Sequence, residues 1–271
     1  MSIFQIQVLV SFLVGGIVIA MQTLIGERLN AYWRGVILAL PITCALGVFF
    51  TGLATTPADA VRVATVVPAA LMSDFLFVGV FAVLSSFGLA TALFGGFLAF
   101  FVSAFFVIIY PPSTFLISVL YGLPGIIIPY LVVRKLPQMD KFKVYPMNAK
   151  HIFLRGFLGG SVIAIILILS KTLGNVWGGV ASAFPIIFTS TFIIYYVLQG
   201  KHVIPSVAKS LFFPGALVYI LHMHISVLTF EKYGIWLGTL FAYIAVFIFL
   251  LIYSWVRNKF LKSTGLRKKY P

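Results

Sequence analysis

Long apolar runs separated by short polar breaks dominate the chain. Positions 2–26, 35–57, 113–133, 156–170 and 172–200 carry no charge, and 63–110 carries one acid. Neither an alternating strand pattern nor the polar face of a soluble helix recurs in these runs. About 20 mostly apolar residues suffice to cross a bilayer as a helix. Breaks at charges, Pro and Gly then predict nine spans, at 4–24, 33–54, 67–86, 90–110, 114–133, 152–170, 175–198, 211–230 and 234–256. The boundary between the third and fourth falls in "SSFGLAT", an uncharged tight turn at 85–91.

Composition agrees with lipid as part of the solvent. Of 271 residues, 62% are hydrophobic and 9% charged, against roughly 25% charged in soluble domains. The first run has no basic residue ahead of it and no small-x-small cleavage pattern, so it is expected to stay as a spanning helix rather than a signal. A net charge of +14 raises nucleic acid as a partner, but no soluble domain is visible to carry a basic face, and none is expected. Read as a topology signal, the charge orients the chain. With nine spans, an outer N-terminus and an inner C-terminus, 16 of 19 Lys and Arg fall inside, leaving only Arg62, Lys171 and Lys232 outside. A plasma (cytoplasmic) membrane location is expected on that basis.

Part of the pattern is written twice. At an offset of 144, "GGIVIAMQTLIGERLNAYWRGVILALPI" (15–42) lies over "GGSVIAIILILSKTLGNVWGGVASAFPI" (159–186) without a gap, with 12 of 28 positions identical. Matched Gly15/Gly159, Gly16/Gly160, Trp33/Trp177 and Pro41/Pro185 are not explained by hydrophobic composition. The likeness continues from "PADAVRVATVVPAAL" (57–71) to "PSVAKSLFFPGAL" (205–217), read as amphipathic connectors that reach a Pro in the first turn of the next helix. Spans 1–4 therefore pair with spans 6–9, and span 5 is left over. Paired spans are five apart, and an odd separation reverses direction across the bilayer. The expected fold is an all-α integral membrane protein with nine transmembrane helices in an inverted 4+1+4 repeat. Its parts are 1–110, a linking helix and basic loop at 111–151, the second repeat at 152–257, and a basic tail at 258–271.

Inverted repeats with a site at their interface characterise secondary transporters. The first functional expectation is a secondary transporter of a small solute by alternating access, with proton coupling. A passive channel or a lipid-translocating protein is the alternative, and a non-transport subunit or lipid-modifying enzyme the third.

Candidate chemistry is sparse. Pro41 and Pro185 fall inside spans, where each removes a backbone donor. Freed carbonyls at that depth need protein or a wet cavity. Thr43, Ser182, Thr189, Ser190 and Thr191 surround the two prolines. They read either as hydroxyls bonded back within a kinked packing helix or as the lining of a central site. Asp74 is the only acid inside any span, placed roughly 10–12 Å from the outer face by helical rise. An intramembrane carboxylate is a functional candidate, against the alternative of an acid near a helix start. His222 and His224 lie in span 8, the counterpart of span 3. His222 is expected at a depth like that of Asp74, suggesting an Asp–His proton pair, against a neutral ring bonded to a neighbour. Two residues apart, the histidines diverge by about 200° on a helix, which disfavours a shared metal. Span 5, with Gly122, Pro124, Gly125 and Pro129, reads as a hinge or a kinked crossover. The single cysteine, Cys44, excludes an intrachain disulfide. No nucleophile–base set, phosphate loop or metal motif is visible, so neither enzyme activity nor a cofactor or metal is expected. Oligomeric state is open.

The second half resembles the small four-helix GlpM-like membrane proteins. The residues responsible are "WGGVASAFPIIFTSTFIIYYVLQG" (177–200) and the helix start at 214–219. The resemblance implies duplication of a four-span unit, with Leu40-Pro41 replacing Phe-Pro in the first copy, and it brings no established activity.

Overall fold

The computed structural model describes residues 1–28, 37, 40–137 and 148–263. Those residues form helices and no strands. In chain order they are α1 (Ile3–Arg28), α2 (Ile42–Ala54), α3 (Pro57–Leu84), α4 (Leu89–Ile109), α5 (Phe115–Val133), α6 (Ala149–Thr172), α7 (Asn175–Ser182), α8 (Ile186–Gln199) and α9 (Ile204–Ser263). Seven segments are long and apolar enough to cross a membrane, as expected of a membrane-embedded chain. One of them, Gly215–Val256, runs through Gly234, whose φ of 77° and ψ of 168° interrupt α9. Only Gly adopts that backbone without strain. The first half of the span predicted at 33–54, the basic loop and the last eight residues lie outside the described residues.

α3 is the centre of the molecule, and most of its length is buried. At 28 residues it is about 42 Å long, more than the hydrocarbon thickness of about 30 Å. This corrects the expectation for 57–71, which is not a connector before a helix. The helix begins at Pro57, capped by Thr56, whose hydroxyl accepts from Asp59 N–H. Pro68 therefore lies inside the helix rather than in its first turn. By the same rule, 205–217 belongs to α9. The break at Pro68 is repaired from α5. The Ser118 hydroxyl accepts from Ala69 N–H at 2.9 Å and donates to the Val66 carbonyl at 3.3 Å. Freed backbone groups at membrane depth are tolerated when a neighbour satisfies them in this way.

The irregular composition of α5 does not interrupt it. Phe115–Val133 is one helix with Pro124 and Pro129 inside it. Its glycines mark where α3 presses closest: a Cβ at Gly122 would meet the Pro68 carbonyl, and one at Gly125 the Met72 side chain. The turn between α3 and α4 is as tight as expected, a 3-10 turn at Ser85–Phe87 closed by Gly88 at φ 130°.

α1 and α6 cross through small residues and run antiparallel. Lys171 Nζ stands 4.1 Å from the Phe4 ring centroid at one end. Further along, a Cβ on Gly16 would stand 2.9 Å from the Gly156 carbonyl oxygen, and a Cβ on Gly156 3.2 Å from Ala20. The contacts are reciprocal: Gly15 lies on Ile163 and Gly159 on Ile19, while Gly16 lies on Gly156 and Gly160 on Phe12. Small residues permit such close backbone approach between helices in lipid.

Polar contacts gather at two opposite ends of α3. Near its start, Asn175 Nδ2 donates to Asp59 Oδ1 at 2.8 Å. Past its end, Lys201 Nζ donates to the Ser86 carbonyl at 2.9 Å.

Candidate functional site

Pro41 and Pro185 interrupt the chain in the same way. Their backbone angles are φ −80°, ψ 47° and φ −77°, ψ 42°. Ile42 N–H donates to the Leu40 carbonyl at 2.8 Å, and Ile186 N–H to the Phe184 carbonyl at 2.8 Å. Both are inverse γ-turns with Pro at the centre. Each turn opens a helix: Ala45 N–H donates to the Pro41 carbonyl and Thr189 N–H to the Pro185 carbonyl, both at 2.8 Å. The segment at 175–199 is therefore two half-helices, α7 and α8, with the break at 183–185. Proline dictates this geometry, because it fixes φ near −65° and has no N–H to continue a helix.

The two breaks meet. The Cys44 thiol, in the first turn of α2, donates to the Ser182 carbonyl at the end of α7, at 2.8 Å. Beside this bond is a small cavity of ≈ 10 Å³, lined by Thr43, Asp74, Ser182, Phe184, Pro185, Ile187, Phe188 and Tyr219. It draws on α2, α3, α7, α8 and α9. Aromatic rings pack around it. Phe188 leans on Phe75 at 6.2 Å, Phe75 stacks on Phe212 at 5.3 Å, and Phe184 packs on Phe97 and Phe100 at 5.8 and 5.4 Å.

Asp74 reaches this cavity from the deep part of α3. It lies 17 residues beyond Pro57, about 26 Å along the helix axis, and is 5% exposed. The start at Pro57 puts it well inside the helix and removes the reading of an acid near a helix start. Its Oδ1 is buried without a hydrogen-bond partner. Thr43, 4% exposed, has an equally unpartnered Oγ1. Most hydroxyls in these helices bond back to a carbonyl of their own helix. Thr43 follows Pro41 by two, so the residue four before it precedes the turn.

The other candidate hydroxyls do bond back. Thr189 donates to the Pro185 carbonyl at 2.7 Å, Ser190 to Ile187 at 3.0 Å, and Ser182 to Gly179 at 2.6 Å. Thr191 donates to the Ile187 carbonyl at 2.7 Å and accepts from Arg155 Nη2 at 2.8 Å. Of the hydroxyls named in the sequence, Thr43 is the one left for a ligand.

The structure does not join His222 to Asp74. The His222 ring packs edge-on to Tyr243, with centroids 4.7 Å apart, and its Nδ1 lies 3.5 Å from Ser226 Oγ. Nε2 is buried without a partner. His224 turns outward, its ring 5.0 Å from Phe115. Neither histidine lines the cavity. Among the described residues, no cluster of three His, Cys, Asp or Glu is placed to hold a metal ion.

Four contributors escaped the sequence reading. Tyr219 is on the cavity wall, within electrostatic reach of Asp74 and Cys44. Its signal was a phenol three residues before His222 in an otherwise apolar stretch. Phe184 and Phe188 flank Pro185, but nothing separates them in sequence from 26 other phenylalanines. Cys44, noted only for its inability to form a disulfide, bridges the breaks.

Comparison with known protein families, with curated proteins and with solved structures finds no match.

Proposed function

We propose that the chain is a nine-crossing inverted 4+1+4 repeat that moves a small solute across the membrane by alternating access, with the cavity at Asp74 as its central site. One observation carries the reading. The Pro41 turn that opens α2 and the proline break between α7 and α8 converge on a buried carboxylate whose Oδ1 has no hydrogen-bond partner among the described residues. A carboxylate at that depth is costly unless it takes up a proton or another cation. Loading and unloading that charge as access switches is how coupling to a gradient would arise, and a proton is the simplest load.

The repeat reading has support of its own. Reciprocal contacts are what a two-fold relation produces: residue i touches j of the other copy, and j touches i. Gly15 on Ile163 with Gly159 on Ile19, and Gly16 on Gly156 with Gly160 on Phe12, form such pairs at the 144 offset that aligns the two sequences. Because α1 and α6 are antiparallel, the relating axis lies across them, in the membrane plane. In this reading Gly234, where α9 is interrupted, divides Gly215–Val256 into two crossings, and α2 belongs to a further one. The basic residues then orient the N-terminus outward and the C-terminus inward.

The test is solute flux in proteoliposomes, using compounds first found to raise the thermal stability of the purified protein. Expected is saturable uptake driven by an imposed ion gradient, with gradient dependence lost in Asp74→Asn. Gradient-insensitive, non-saturating flux would replace the transporter with a channel. Lipid movement without solute flux would replace it with a lipid-translocating protein.

A further inference from the structure

The cavity beside the two proline turns is lined by Asp74 and Thr43, each of which has a buried side-chain oxygen without a partner among the described residues. Asp74 Oδ1 and Thr43 Oγ1 are both buried and unpartnered, and no hydrogen bond joins one to the other. A cation held by both residues would satisfy both oxygens. The space is ≈ 10 Å³, about the volume that holds one water. A single dehydrated ion fits such a space.

The donor set selects the ion. A carboxylate and a hydroxyl are hard oxygen ligands, suited to hard cations and poorly suited to soft metals. Ser182, also on the wall, ends α7, so the negative end of that helix's dipole lies beside the cavity. Charge balance then limits the valence. Asp74 is the only acid on the cavity wall, so one positive charge is neutralised and a divalent ion would leave an excess charge buried. A proton would neutralise Asp74 without filling the cavity, whereas a metal cation would do both. Among monovalent ions, the small volume favours sodium over the larger potassium.

We propose that this cavity is a sodium site, with Asp74 Oδ1 and Thr43 Oγ1 as side-chain ligands, and that Na⁺ is the ion whose binding is coupled to access. The binding claim stands on the cavity alone; the coupling claim rests on the transport reading above.

The experiment is thermal unfolding of the full chain in detergent, with NaCl replaced by KCl or choline chloride at constant ionic strength. A ligand that binds only the folded state raises Tm with its concentration. Expected is a saturable rise in Tm with Na⁺, little rise with K⁺ and none with choline. Asp74→Asn should lose the rise. Thr43→Val, which keeps shape and charge, should weaken apparent Na⁺ affinity tenfold or more. Ser73→Ala removes a neighbouring buried hydroxyl that is not on the cavity wall and should keep full affinity. Should Asp74→Asn fail to fold, Thr43→Val and direct ²²Na⁺ binding to the wild-type protein carry the test. Equal Tm in all three salts, an equal response to K⁺, or full affinity in Thr43→Val would overturn the proposal. Gradient-driven solute flux that ignores Na⁺ would sink this inference and leave the transport reading standing. Na⁺ binding without any solute flux would do the reverse.

Discussion

The thiol of Cys44 donates to the backbone carbonyl of Ser182, so the first turn of α2 is tied to the last turn of α7 across 138 positions of sequence. This bond holds the two proline breaks side by side. It takes up a carbonyl that the end of α7 leaves without a helical partner. Replacing Cys44 by Ala should cost about 1–2 kcal/mol, from the lost hydrogen bond and the carbonyl left behind. The check is Tm in detergent; Cys44→Ser, which keeps a donor, should recover part of the loss. Cys44 is 1% exposed, so the wild-type thiol should also resist maleimide in the folded protein.

The crossing of α1 and α6 should tolerate no added side chain. Gly16→Leu and Gly160→Leu both drive a Cβ into backbone of the opposite helix. Backbone cannot move aside as a flexible side chain can, so each should destabilise by about 2 kcal/mol or more. Gly174→Ala makes a useful contrast. Nothing stands within 4 Å of its Cβ position, and only its φ of 98° opposes the change. Unfolding midpoints of the three variants check the ordering, with the two leucine variants lowest.

Ser118 should matter more than a serine usually does in an apolar helix. Ser118→Ala leaves both Ala69 N–H and the Val66 carbonyl of α3 without their partner. Losing both interhelical hydrogen bonds should cost about 1–3 kcal/mol. Ser161→Ala, where the hydroxyl only bonds back to the Phe157 carbonyl, should be nearly neutral. Comparing the two by thermal unfolding isolates the repair of the Pro68 break from the loss of a hydroxyl.

Much of the helical layout was readable from hydropathy, because lipid demands long apolar runs and each break between them is made by a charge, a Pro or a Gly. The turn at Gly88 and the matched breaks at Pro41 and Pro185 were readable for the same reason: few residues can do what those backbones require. The start of α3 was not. Asp59 and Arg62 made 57–66 look like a connector, but a helix longer than the hydrocarbon carries its polar end into the interface. The depth comparison built on that misplacement suggested a partner for Asp74 in His222, whose ring packs on Tyr243. Ser118 was invisible because its role depends on which helix lies opposite Pro68. Thr43 was readable only as one of several hydroxyls, since sequence does not say which of them finds its own helix carbonyl.

The polar clasp at the start of α3 offers a test away from the site. Asp59 accepts from Thr56 Oγ1 at 2.7 Å and from Asn175 Nδ2 at 2.8 Å, linking two helix starts at one end of the molecule. Thr56→Ala removes an N-cap and should cost about 1 kcal/mol. A double-mutant cycle on Asp59→Ala and Asn175→Ala should show favourable coupling of about 0.5–1 kcal/mol. Coupling indistinguishable from zero would mean that these two helix starts do not meet.

Opposed orientation of the two halves is the proposition on which the site, the transport reading and the pairing of the breaks all depend. Its most direct measurement places a cysteine at Ser2 and, separately, at Ser263 in a Cys44→Ala background. Each is then labelled in intact cells with a membrane-impermeant maleimide. The expected result is labelling of the Ser2 position and protection of the Ser263 position until the membrane is opened. Both ends labelling alike would mean an even number of crossings, and the inverted arrangement would be wrong.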